Sequence, residues 1–164
     1  PLLVAIVNSD YLRHLYHENL AYSPIVGQLY VWTSGFALFA FLITLARELV
    51  KDIEDIEGDR EMECRTAAIV WGTKNTKIIV SLILVITIAL ISYIFFCVLP
   101  FPHSWNTLAT RYMLFGLNVP IVCAIVLLWA AKTPIEYHRA QVIIKFAMFM
   151  GVMYSFVIYQ NLLG

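Results

Sequence analysis

Residues 28–60 read QLYVWTSGFALFAFLITLARELVKDIEDIEGDR. The first nineteen of these, 28–46, carry no charge, and eight of the chain's eleven acidic residues then crowd between Glu48 and Glu63. At about 1.5 Å per residue, an uncharged run of that length matches a hydrocarbon core of roughly 30 Å. The rest of the chain agrees. Of its 164 residues 61% are hydrophobic and 13% charged, more apolar surface than a soluble domain of this size has interior to hide. The sequence describes an all-α membrane protein, a transmembrane helical bundle.

Three further spans follow at 78–99, 112–131 and 146–163. Pro100 and Pro102 end the first of them, and Asn118 and Pro120 lie within the second. The chain opens at Pro1 directly into LLVAIVN, an apolar run too short to cross a bilayer. The expectation is four complete spans plus the end of a fifth, the C-terminal part of a longer protein. No internal repeat or low-complexity linker divides residues 1–164, so they form part of one domain. Formal net charge is zero, which gives no global field for nucleic acid. Cys64, Cys97 and Cys123 lack CxxC spacing, which argues against a disulfide framework or zinc site and points to packing.

Basic residues in short loops set orientation. Arg47, Lys51, Arg60, Arg65, Lys74 and Lys77 flank the acidic segment, and Lys132, Arg139 and Lys145 return to the same side two spans later. Arg13 and Arg111 stand opposite. The acidic segment is therefore expected to face the cytoplasm, from the cell inner membrane.

If the apolar helix continues through Asp59, about 100° per residue brings Glu48, Asp52, Asp55 and Asp59 within about 60° of one another. Like charges so aligned are destabilising unless a cation joins them. Carboxylate oxygens suit Mg²⁺, which keeps several waters and completes its shell with substrate phosphate. Followed into the membrane, the same stripe passes Thr33, Ala37, Ala40 and Thr44, small or weakly polar residues. Either a cavity below the carboxylates or close helix packing accounts for them. A juxtamembrane charge run is most often a solvated face. Here Asp outnumbers Glu on the aligned face although Asp is the poorer helix former, and Arg60, Arg65, Lys74 and Lys77 follow as anion partners. Carboxylates, a divalent metal and cations beside a membrane cavity suit a phosphorylated lipid.

The pattern RExxKDIEDIEGDR, continuing to CRT and to Trp71-Gly72, resembles the second aspartate-rich motif of the UbiA-type intramembrane prenyltransferases. Its wording is nearest to the branch that prenylates geranylgeranylglyceryl phosphate. The resemblance implies a nine-helix bundle, of which this chain supplies the end of helix five and helices six to nine. It implies that Asp55 and Asp59 bind Mg²⁺ and a prenyl diphosphate, with Asp52 and Glu48 beside them, and that Asp52, Asp55 and Asp59 serve catalysis. It gives Lys51, Arg65 and Thr66 matching places in the family pattern, and with Arg60, Lys74 and Lys77 the cations form a diphosphate-binding set. Relatives commonly carry Gly in place of Glu63 and Leu-Pro in place of Ala67-Ala68, departures that bear on the loop and leave the aspartates in place. The family's first motif, of the NDxxDxxxD kind, does not occur in these residues, so half of the implied metal site is missing and the chain alone is expected to be inactive.

The implied reaction is Mg²⁺-dependent transfer of a prenyl group from an allylic diphosphate to a lipid-soluble acceptor. Prenylation of an aromatic acceptor in quinone synthesis is the alternative within that class. A divalent-cation transporter is the alternative outside it, although transporters place ionisable groups along the spans. Asn118 is expected in an interhelical hydrogen bond, Pro120 at a kink, Gly151 and Ser155 on a packing face, and Tyr154 and Tyr159 among aromatic neighbours. His14, His17, His103 and His138 show no metal-ligand spacing.

Overall fold

The structure, a computed structural model, describes residues 24–98 and 108–163, with side chains over 33–97 and 108–157. The expected helix tail at Pro1, the loop carrying Arg13, His14 and His17, the Pro100 and Pro102 turn with His103, and the Tyr159 side chain lie outside the described residues. The chain falls into two compact units, Pro1–Phe41 and Leu42–Gly164. The first is seen here only as the opening turns of α1 (Pro24–Glu54), which runs on into the second.

In the second unit α1 is followed by two short helices, α2 (Ile56–Glu61) and α3 (Ala67–Trp71). Next comes α4 (Thr73–Tyr93), prolonged by a π-helical stretch at Ile94–Val98. Helix α5 (Leu108–Arg111) passes through a π-helical stretch at Tyr112–Asn118 into α6 (Val119–Ala130), and α7 (Pro134–Leu163) closes the chain. No strand occurs among the described residues. Four stretches are long and apolar enough to cross a membrane: Thr33–Glu54, Thr73–Cys97, Leu108–Ala130 and Pro134–Val157.

Of the boundaries that differ from the hydropathy reading, the two largest do so for the same reason. Helix α1 continues eight residues past Ala46, and α7 starts twelve residues before Phe146. In both extensions the helix is amphipathic, so polar residues on one face hide the element from a hydropathy scan. Along α7 the buried positions Tyr137, Ala140, Gln141, Ile144, Ala147, Tyr154 and Val157 keep to one face, while His138, Arg139 and Lys145 are exposed. Arg139 and Lys145 therefore sit on a helix and not in a loop. Its start is set by Glu136, whose carboxylate accepts from the backbone N–H groups of Lys132 (2.6 Å) and Thr133 (3.1 Å), as in a capping box.

Helix α6 packs along α7 and against α4. The core holds Val80 and Leu84 of α4, Ile121, Ala124 and Leu128 of α6, and Ile144 and Ala147 of α7, each almost fully buried. Some polar groups within the spans find partners nearby. Thr87 donates to the Ile83 carbonyl at 2.8 Å, and Asn118 reaches Ser92 of α4 at 3.5 Å, the interhelical contact expected of it. Tyr154 stacks on Tyr112 with ring centroids 5.6 Å apart, as expected of an aromatic neighbour. Gly151 is buried, but Ser155 is exposed and bonds only its own helix, at the Val152 carbonyl. The cysteines also depart from expectation: all three are free and exposed.

Pro120, second in α6, has no N–H and its ring would press on the carbonyl of residue 116 in a regular α-helix. The seven residues before α6 take the wider π path instead, so the expected kink takes the form of a π-helical turn.

At the opposite end of α6 three elements are tied together. Lys77 of α4 donates to the Ala131 carbonyl at 2.7 Å and lies 4.8 Å over the Tyr137 ring of α7. Trp129 donates to Ser81 at 2.9 Å. A cation on the last carbonyls of a helix is favoured by both the orphan acceptor and the helix dipole. The end of α1 meets the start of α7 there too, through Glu54 and His138 at 2.9 Å.

The chain enters α4 through Gly72, with φ +80° and ψ 150°, a backbone region open in practice only to glycine. A Cβ there would meet nothing within 4 Å, so the constraint is conformational alone. Gly72→Ala is expected to destabilise the protein by about 1–3 kcal/mol, read as a fall of several degrees in the unfolding midpoint of the detergent-solubilised protein. An unchanged midpoint would contradict this backbone geometry.

Candidate functional site

The carboxylate stripe begins inside α1. Ile43, Ala46, Val50 and Ile53 bury one face of that helix within the second unit. The face carrying Thr44, Glu48 and Asp52 is left half-buried, and on the same stripe Ala40 is exposed.

At Asp55 the helix loosens. Its φ of −92° and ψ of 7° end α1, and α2 begins at Ile56. The i to i−4 hydrogen bonds nevertheless survive, from Asp55 N–H to Lys51 and from Asp59 N–H to Asp55, both 2.9 Å. The path therefore stays close to the continuous helix that the spacing predicts. Asp52 lies within electrostatic reach of both Glu48 and Asp59, as a shared face requires. Asp55 is exposed, whereas Asp52 and Asp59 are half-buried.

After α2 the chain must turn back toward the membrane. Glu63 takes the left-handed conformation, φ 54°. Around it Cys64 N–H bonds the Asp59 carbonyl at 2.9 Å and Glu63 N–H bonds the Arg60 carbonyl at 3.3 Å. These 6→1 and 5→2 bonds form a Schellman ending, whose left-handed position glycine normally fills. Three residues on, the Ala67 N–H donates to Oδ2 of Asp52 at 3.3 Å. The loop is thus bound at both ends to residues of the carboxylate stripe.

Around this turn the cations are spread unevenly. Arg47 pairs with its neighbour Glu48. Lys51 lies near Glu48 as well, and so does Lys145, brought across from α7. Lys51, Arg60, Arg65 and Lys74 are exposed. Lys77 is half-buried and engaged with Ala131 and Tyr137. Two contacts at this edge escaped the sequence reading: the Glu54–His138 pair and the approach of Lys145 to Glu48. Both need α7 to be helical from Pro134, which hydropathy did not reveal.

The donor set tests the fit of a metal. Among the described residues no group of three Asp, Glu, His or Cys side chains is placed to hold an ion. Mg²⁺ does not require such a group, since it commonly binds through one or two carboxylates plus waters and substrate phosphates. Asp55 and Asp59, oxygen donors one turn apart on an accessible face, fit that coordination in donor type.

A family model described as the UbiA prenyltransferase family matches residues 19–153. The chain belongs to this family. It is similar to the digeranylgeranylglyceryl phosphate synthase of Methanosphaera stadtmanae, 28% identical over 169 residues, covering 95% of this chain and 57% of that one. Synthases of the same name resemble shorter stretches more strongly. That of Thermococcus sibiricus is 38% identical over 85 residues (40% of this chain, 30% of the relative), and that of Pyrococcus abyssi 42% over 72 (42% and 26%). The chain spans about half the length of the relatives it matches. No solved structure matches it significantly. The family match and the four apolar helices make it part of a multi-pass integral membrane protein.

Glu63 marks where this member of the family departs from the expected glycine. A left-handed non-glycine residue costs about 1–2 kcal/mol, and glycine's greater unfolded freedom returns roughly 0.5–1 of that on replacement. Glu63→Gly is therefore expected to stabilise the turn by about 0.5–1 kcal/mol, seen as slower amide exchange at Cys64. Faster exchange in that variant would contradict the left-handed assignment.

Proposed function

We propose that the protein containing this chain transfers a prenyl group from an allylic prenyl diphosphate to a lipid-soluble acceptor, with geranylgeranyl diphosphate as donor and geranylgeranylglyceryl phosphate as acceptor. The observation that carries the reading is the stripe of Glu48, Asp52, Asp55 and Asp59 at the end of a membrane helix, returned upon by a loop bearing Arg65. Family membership and the names of the similar synthases support the choice of reaction and acceptor.

In this reading Asp55 and Asp59 hold Mg²⁺, with Asp52 one turn before them on the stripe. The metal's contribution when bound is to neutralise charge that develops on the departing diphosphate. Arg60, Arg65 and Lys51, exposed around the turn, add hydrogen bonds and positive charge to the same oxygens. Lys74, at the start of α4, extends that set. The C1–O bond of the donor breaks with its electron pair leaving on diphosphate, and an acceptor oxygen then bonds to C1 and loses its proton. Between those events the allylic cation must not meet water, and apolar walls of membrane helices exclude it. The carboxylate edge faces the cytoplasm, the side favoured by nine of the chain's eleven basic residues. The family's first aspartate-rich motif would supply the opposing half of the diphosphate clamp, so residues 1–164 alone are expected to be inactive.

The test uses the full-length protein in membranes. Asp55→Asn and Asp59→Asn should each lower diphosphate release and prenyl transfer by about a hundredfold or more, with membrane insertion unchanged. Near-parental turnover in either variant would remove that residue from the metal site. Transfer to an aromatic acceptor in preference to the glyceryl phosphate would overturn the acceptor assignment.

A further inference from the structure

Ala67 opens α3, and its N–H is one of the donors that a helix start leaves without an intrahelical partner. The residue before it, Thr66, is of the type that usually supplies the missing acceptor, yet makes no side-chain cap here. The acceptor comes from fifteen residues upstream, Oδ2 of Asp52. Just before this contact, the Cys64 N–H is held by the Asp59 carbonyl. Only Arg65 and Thr66 lie between the two anchors, and both anchors belong to the carboxylate stripe.

We infer that Asp52 is a positioning residue, a latch that holds the 64–67 return loop against α1 and so sets where Arg65 stands relative to Asp55 and Asp59. Its use to substrate is indirect and rests on the reading above, in which Arg65 meets the diphosphate. The three aspartates then divide their work. Asp55 and Asp59 face the ligand, while Asp52 turns to the backbone of its own chain. Its half-buried setting and its hydrogen bond distinguish it from the exposed Asp55.

Latch and metal ligand make different chemical demands. A latch needs a hydrogen-bond acceptor at the right place, which a carboxamide oxygen supplies. A Mg²⁺ ligand needs the carboxylate's charge as well. Asp52→Asn keeps the first property and loses the second, whereas Asp52→Ala loses both.

Three readouts on the full-length protein separate the roles: KM for geranylgeranyl diphosphate, the Mg²⁺ concentration giving half-maximal rate, and the rate of trypsin cleavage after Arg65 without metal. Asp52→Ala is expected to raise that KM by about tenfold, the effect of losing one hydrogen bond to a charged group. It should also speed cleavage after Arg65 and leave the half-maximal Mg²⁺ concentration unchanged. Asp52→Asn should recover most of the KM and proteolysis effects. In an Arg65→Ala background, Asp52→Ala should raise KM little further, since both changes remove one contribution. The latch is overturned if Asp52→Asn matches Asp52→Ala with a raised Mg²⁺ requirement, or if cleavage after Arg65 is the same in all three proteins. Proteolysis needs no turnover, so it decides the latch even if the prenyl-transfer reading fails.

Discussion

Inside a bilayer there is no water to satisfy a backbone N–H or C=O, and each such group left bare costs several kcal/mol. That constraint shapes the four spans. It makes the spans helical and turns the Thr87 hydroxyl back onto the Ile83 carbonyl. It also explains why a proline at 120 is accompanied by a widened turn. Where the helices end, the freed groups are met by side chains: Lys77 of α4 at the end of α6, Glu136 from the first turn of α7 itself, and Asp52 of α1 at the start of α3. The edge of the bundle that carries the carboxylates is also where these end-satisfying contacts collect. Of these three side chains, Asp52 also belongs to the carboxylate stripe.

The fold class was legible because hydropathy reports what a bilayer demands. Four apolar runs became four helices, and the zero-charge stretch 28–46 marked the first. Boundaries were less legible wherever a helix continued into amphipathic turns. Residues 134–145 alternate apolar contacts with Glu136, His138, Arg139 and Lys145, and only the packing of Tyr137, Ala140 and Ile144 shows them to be helical. Cys97 and Cys123 misled for a related reason: small apolar character favours burial, but within a span an apolar side chain has no need to leave the exterior.

The candidate site divides in the same way. Rotation of about 100° per residue puts Glu48, Asp52, Asp55 and Asp59 on one stripe, and the helical hydrogen bonds that persist through the break at Asp55 keep the path close to it, with Glu48 and Asp59 both near Asp52. The return loop was not legible. Its course depends on a left-handed glutamate and on a contact between residues fifteen apart. The one hint was indirect: the resemblance placed a glycine where this chain has Glu63. Lys77 also changed meaning once α6 was in view, since a cation counted toward an anion site proves to be bonded to a carbonyl and an aromatic ring.

The wide turns at Ile94–Val98 and Tyr112–Asn118 carry a consequence for how these spans can change over time. A π-helical turn holds one residue more than the α-helical turn it replaces. Removing that residue lets the turn close to α-helical geometry with nearly the same total rotation, so the helix on either side keeps its facing. For the span Leu108–Ala130 this would leave Ile121, Ala124 and Leu128 in the core and Val122 and Val126 outside it. A deletion in the regular stretch Val119–Ala130 would instead turn every buried residue beyond it by about 100°. The wide turn is thus the place where this span can change its length by one residue without repacking.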